Sequence, residues 1–234
     1  PHVTFILIAH NLQAVLPTIV SRCMVVRFKT LPQSVMVEQL REATACSEED
    51  ALIALGACGS VLATATRFLL SPQLRATRNE TARAFRVLKD ADDLEVLDLA
   101  TSLLVAIKGP LEELSKNQEN ELKERAELLD SKAMKILADR NKRRMSAYEK
   151  QSINEVLNVF QSLLRDTLCI SQGVSDLVLN IDETIYLSEL SETIEPAKVA
   201  DALRIIDQAR SRVALNIDTQ LVLETTLFGI REVL

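Results

Sequence analysis

A 234-residue chain with 47% hydrophobic residues, 26% charged residues and a net charge of −6 has the make-up of an ordinary soluble globular protein, with room for one to three small domains. The acidic balance argues against a chain that binds DNA by itself, and the longest apolar runs fall short of the ~20 residues that span a bilayer. Four scattered cysteines (Cys23, Cys46, Cys58 and Cys169) with only His2 and His10 beside them offer no metal-ligand set, and they suit reduced thiols in a cytoplasm.

Aromatic residues make up 3%, Trp is absent, and Gly and Pro number 5 and 6, which points to helices joined by few loops. The chain opens on the apolar run Val3–Ala9. Such a run is expected of a strand buried on both faces of a parallel sheet, yet no partner strands follow. The opening therefore reads as a cut through a larger domain, the alternative being an apolar tail or short helix packed on a helical body. A secretory leader is not expected, because Phe5 to Ala9 has no basic stretch before it and no cleavage-like site.

From Leu31 the pattern turns helical. Leu31-Pro32 starts a segment carrying Val35, Val37 and Leu40, ending near Ala45. Ser47-Glu48-Glu49-Asp50 reads as a capping box opening a short helix with Leu52, Ile53 and Leu55, stopped by Gly56 and Gly59. Ser60 is the expected cap of a third helix bearing Val61, Leu62, Ala65, Phe68 and Leu69. Two more helices are predicted at about 74–89 and 93–108, with Gly109-Pro110 as the break.

No Gly or Pro interrupts the chain from there to Gly173. Leu122, Ala126, Leu129, Ala133 and Ile136 form a narrow apolar stripe on a highly charged stretch. It reads as a coiled-coil-like arm or, preferably, as two long antiparallel helices with a weak turn near 140–146. A wider stripe follows at Ile153, Val156, Leu157, Phe160, Leu163, Leu164 and Leu168. The exposed-looking cluster Lys142-Arg143-Arg144 fits a solvated helix face better than a DNA contact. Pro196 then opens a helix with Val199, Leu203, Ile206 and Val213 inward. Asn216 to Asp218 supplies a break and a cap, and Leu223, Leu227, Ile230 and Leu234 share a face of the last helix.

The stretch Leu16-Pro17-Thr18-Ile19-Val20-Ser21-Arg22-Cys23, followed by Leu31-Pro32, resembles the end of the ATPase core in clamp-loader AAA+ subunits. In those subunits the arginine of Ser-Arg-Cys reaches the phosphates of ATP held by a neighbour. The charge that builds on the γ-phosphate oxygens is met there by a planar, bidentate guanidinium. The order of segments is similar to the C-terminal two-thirds of the bacterial DNA polymerase III delta prime family. Phe28 to Leu70 resembles its helical lid. Ile194 to Leu234 resembles the last two helices of its collar, with Arg210, Asn216, Leu221, Leu223 and Glu224 in the linker pattern.

Two departures from the ATP-hydrolysing relatives matter. Val61, Leu62 and Ala63 stand where a sensor-2 arginine is expected, and Ala9-His10-Asn11 replaces the sensor-1 threonine. No G-x-x-x-x-G-K-[ST] loop occurs either. The resemblance thus implies a mainly all-α chain. Residues 1–30 would be the remnant of an ATPase-like domain with a strand, 31–92 a helical lid, and 93–234 a collar. It further implies a non-hydrolysing, cytoplasmic subunit that takes part in ring assembly. Arg22 would be its trans arginine finger, with Ser21 orienting the turn and Cys23 a small buried residue rather than a nucleophile. The implied partners are gamma/tau and delta subunits through the collar, with the sliding clamp and primed DNA at the level of the assembly and no membrane. No cofactor or metal is expected on the chain, which acts on ATP held next door. The alternatives are a helical interaction module of another AAA+ protein and a piece of a gamma/tau-type ATPase subunit. His10 has no acidic partner or second histidine nearby and is not expected to be catalytic.

Overall fold

The computed structural model describes residues 3–9, 11–29, 31–125 and 131–234. Ten α-helices are described in it. They are α1 (Pro17–Val20), α2 (Gln33–Thr44), α3 (Glu48–Ala57), α4 (Leu62–Leu70) and α5 (Pro72–Leu88), then α6 (Asp93–Arg125), α7 (Ser131–Ser171), α8 (Thr184–Thr193), α9 (Pro196–Ala214) and α10 (Thr219–Val233). The expected all-α character holds, and no strand occurs among the described residues. Val3–Ala9 makes no ladder there. Phe5 and Ile8 are 82% and 93% exposed, because a strand needs a neighbour's backbone and no described segment offers one.

Side-chain caps start four of the helices, α3, α5, α6 and α10. The Ser47 hydroxyl accepts from Asp50 N–H at 3.0 Å and donates to the Asp50 carboxylate at 2.7 Å. Only half of the expected capping box therefore forms, since Asp50 takes the hydroxyl rather than the backbone of Ser47. Ser71 caps α5 ahead of Pro72, and Asp218 caps α10. A reciprocal cap that the sequence reading missed starts α6. There Asp92 accepts from Glu95 N–H while Glu95 accepts from Asp92 N–H, both at 2.8 Å. Ser60 does not cap α4. It follows Gly59 at φ 61°, and its N–H closes the end of α3 on Leu55 O at 2.8 Å.

Two predicted breaks are helix instead. α6 runs straight through Gly109-Pro110, and α7 runs through 140–146. A proline inside a helix gives up one backbone bond. Ile107 and Leu111, one turn apart across that site, are both buried, so packing holds the helix where propensity would end it. In α7 the inward stripe is buried at Leu137 and Asn141 and half-buried at Met145 and Tyr148, and it runs into buried Ser152 and Ile153. Ile136, placed in the stripe by the sequence reading, is 62% exposed; the seam lies one residue further along. Ala126 and Leu129 of that stripe lie outside the described residues. Arg140 of α7 pairs with Glu121 of α6 at 3.5 Å.

One hydrophobic cluster links the helices from Val37 on α2 to Ile230 on α10. Its aromatic centre stacks Phe85 edge-on to Phe160 at 5.9 Å and to Tyr186 at 6.0 Å. Such pairs add about 0.5–1.5 kcal/mol each beyond the area they bury. Of the stripe predicted at Ile153 to Leu168, all are buried in it but the half-buried Leu168; Val199, Ile206, Val213, Leu223, Leu227 and Ile230 are buried and Leu203 and Leu234 half-buried. α8, missed in the sequence, contributes Leu187 and Leu190. The α10 end is fixed to the start of α6 by Arg231, which donates to Ala91 O at 3.1 Å and to Asp93 at 2.7 Å. No single helix among the described residues is long and apolar enough to cross a membrane.

Candidate functional site

The Ser-Arg-Cys segment sits where α1 ends. Pro17 at the first helical position pre-sets the turn, whose backbone then closes by Ser21 N–H to Pro17 O at 3.0 Å, Arg22 N–H to Ile19 O at 3.0 Å and Cys23 N–H to Val20 O at 3.2 Å. The Ser21 hydroxyl donates back to Thr18 O at 3.3 Å. This brings Ser21, Arg22 and Cys23 into one tight turn on the outside of the molecule, and all three are exposed. Cys23 is therefore not the buried residue expected; the turn lies outside the helical core, which leaves nothing to cover it. The Arg22 guanidinium makes no ion pair among the described residues. The first thirty residues contain Arg22, Arg27 and Lys29 and no carboxylate, so the segment itself carries a net positive charge. His10 lies outside the described residues.

On α4 the absence of an arginine in the first turn stands. The arginine that α4 does carry, Arg67, is engaged by Glu155 of α7. Burial raises the Glu155 carboxyl above its usual range, partly offset by hydrogen bonds from Gln151 and Arg67 and by the Arg67 charge. Beside them, burial chiefly and the Glu155 charge next push the Cys58 thiol up to about 12, against the opposing pull of Arg67. At pH 8 only about one Cys58 thiol in 10⁴ is then ionised. Iodoacetamide at that pH is expected to alkylate exposed Cys23 promptly and to leave Cys58 unmodified until the protein is unfolded, as read by peptide mass spectrometry. Rapid alkylation of Cys58 in the native protein would contradict this packing.

A buried polar network that the sequence reading missed locks α5, α7 and the 179–182 segment together. Asp166 of α7 is wholly buried, and one of its oxygens accepts from Leu179 N–H at 2.9 Å, Asn180 N–H at 2.7 Å and the Asn180 amide at 2.8 Å. Its other oxygen lies 2.8 Å from the Arg165 guanidinium. Asn180 also donates to Ser162 at 2.8 Å and accepts from Arg78 of α5 at 3.1 Å, while Arg78 grips Asp182 with both terminal nitrogens. Arginine offers only donors, so its position fixes which side of the Asn180 amide is oxygen. Gly56 of α3 backs onto this cluster, and a Cβ there would meet Ser162 Oγ at 2.9 Å. The signal available in the sequence was a carboxylate, Asp166, set within the apolar stripe of α7.

Among the described residues no cluster of His, Cys, Asp and Glu could hold a metal ion. The cluster Lys142-Arg143-Arg144 is exposed on α7.

Two family models match this chain. Residues 117–232 match the family described as DNA polymerase III, delta subunit, C terminal, and residues 1–32 match DNA polymerase III, delta subunit. The first covers the long arm of α7 and the helices that pack on it; the second contains the Ser-Arg-Cys turn. Together they support a clamp-loader-type subunit of DNA polymerase III, one that works in contact with other subunits. No curated protein and no solved structure matches the chain.

Proposed function

We propose that the chain is a non-hydrolysing subunit of a DNA polymerase III clamp loader, of the delta prime type, acting in the cytoplasm. Its helical bundle joins the ring of subunits, and Arg22 acts in trans on ATP held by a neighbour. The observation that carries this reading is Arg22 itself, exposed and without an ion pair among the described residues, in a carboxylate-free segment. A guanidinium held outward on a tight turn has the geometry and permanent charge to meet γ-phosphate oxygens on another molecule. Gamma/tau and delta subunits are the proposed ring partners, and the clamp and primed DNA are engaged by the assembly.

The chain has no phosphate-cradling loop and no sensor-2 arginine. It is therefore proposed to be non-catalytic alone. Isothermal titration of ATP into it should give no micromolar binding, and tight binding would overturn that assignment. The deciding experiment is clamp- and DNA-stimulated ATP turnover by reconstituted complexes carrying Arg22→Ala. A second reading is a delta-type subunit, favoured by the wording of both family matches. On that reading, with no ATP facing Arg22, turnover would be unchanged by the substitution.

A further inference from the structure

The first half of α7 carries an unusual charge for this protein. From 131 to 150 there are seven Lys and Arg residues against Asp139 and Glu149, in a chain whose net charge is −6. The helix is unbroken there, so these charges ride on one continuous helix. With 3.6 residues per turn, Lys132, Lys135, Lys142, Arg143 and Lys150 fall within an arc of about 100°, in which the exposed Asp139 is the one carboxylate, and the ends of the row lie about 27 Å apart. The inward stripe of buried Leu137 and Asn141 and half-buried Met145 and Tyr148 occupies the opposite side, and Lys150 at the end of the row is half-buried. Lys132, Lys135, Lys142, Arg143 and the flanking Arg144 are exposed, and none of them forms an ion pair among the described residues. Arg140, by contrast, is paired with Glu121, and Glu149 accepts from Thr219.

We propose that this face of α7 is a docking surface for duplex DNA, held through its phosphates without reading sequence. A row of cations along one face of a continuous helix complements the negative charge of a duplex backbone. Ile136 is the only large exposed apolar side chain on residues 131–150. A protein interface needs an apolar or aromatic centre, and a membrane-lying helix needs an apolar face, and this surface has neither. The inference goes beyond the arginine-finger reading and does not rest on it, since it assigns this chain a direct contact of its own with DNA.

The test is fluorescence anisotropy of a labelled 30-base-pair duplex titrated with the full chain across about 25–200 mM NaCl. The expected plot of log affinity against log salt has a slope of about −4 to −5, as for about five neutralised phosphates. The triple variant Lys135→Ala, Lys142→Ala, Arg143→Ala should bind at least about tenfold more weakly at low salt, with a slope shallower by about 3. Circular dichroism would check that it remains folded, as expected for exposed side chains. The pair Arg27→Ala, Lys29→Ala, in the other basic segment, should leave the slope unchanged. The proposal is overturned by absence of duplex binding, by an unchanged slope in the triple variant, or by a loss that follows Arg27 and Lys29 instead. Binding to phosphatidylserine vesicles or to an acidic protein with no binding to duplex would also overturn it.

Discussion

Arg22→Ala is expected to lower ATP turnover at one site of a reconstituted clamp loader by about 10³–10⁵, the usual worth of a trans arginine finger. Ring assembly should stay nearly intact. Arg22 stands on an exposed turn outside the core, so its loss removes no packing from the helical bundle. A clamp loader has several ATP sites, so the rate of the whole complex falls less than the single-site figure. Arg22→Lys should rescue poorly, because an ammonium keeps the charge and loses the fork that meets two phosphate oxygens at once. The measurement is steady-state turnover with clamp and primed DNA, with assembly checked by size-exclusion chromatography. Unchanged turnover and clamp loading in intact complexes would reduce Arg22 to a surface residue.

Asp166→Ala is expected to be among the most damaging single substitutions to stability. It removes the acceptor of three hydrogen bonds, leaves buried donors on Leu179 and Asn180 without a partner, and strips the Arg165 charge of its neighbour. Breaking such a buried charged network by deleting one member costs about 3–5 kcal/mol. In a chain of this size that corresponds to a fall in Tm of roughly 6–20 °C. The side chains affected belong to α7 and to the 179–182 segment that Arg78 of α5 grips. Loss of Asp166 should therefore loosen the joint between α5 and α7 as well as the global fold. Thermal melts followed at 222 nm test the magnitude, and hydrogen exchange at Leu179 and Asn180 tests the place. A melting point within a degree or two of the parent would show that the network contributes little.

The difference between these two residues also marks how much of the site was legible in the chain. The role of Arg22 as a finger is the proposal that Arg22→Ala tests, but the residue was singled out as a candidate from the sequence, because Leu-Pro-Thr-Ile-Val-Ser-Arg-Cys is a contiguous string. Asp166 was not, because what makes it important is 13 and 14 residues away at Leu179 and Asn180. Arg78, which completes the network, meets Asp182 across 104 residues. The basic face of α7 was half legible. Lys142-Arg143-Arg144 stood out as a run, but its continuation through Lys132, Lys135 and Lys150 depends on the helix not turning at 140–146.

By itself, the sequence determined the all-helical class, the three short helices after Leu31, the caps at Ser47 and Asp218, and the inward faces of α7, α9 and α10. Each depends on spacings of three and four residues or on one side chain reaching one backbone amide, and such interactions are complete within a single turn. Only the tertiary structure decided that α6 continues through Gly109-Pro110, that the seam of α7 lies on Leu137 rather than Ile136, and that Ser60 closes α3 instead of opening α4. In the first two cases a local preference worth at most a few kcal/mol met a larger demand from packing, and in the third the backbone of Ser60 closed α3. Ile107 and Leu111 had to stay buried on either side of the proline, and Leu137 and Asn141 had to stay in line with the stripe that enters the core at Ile153.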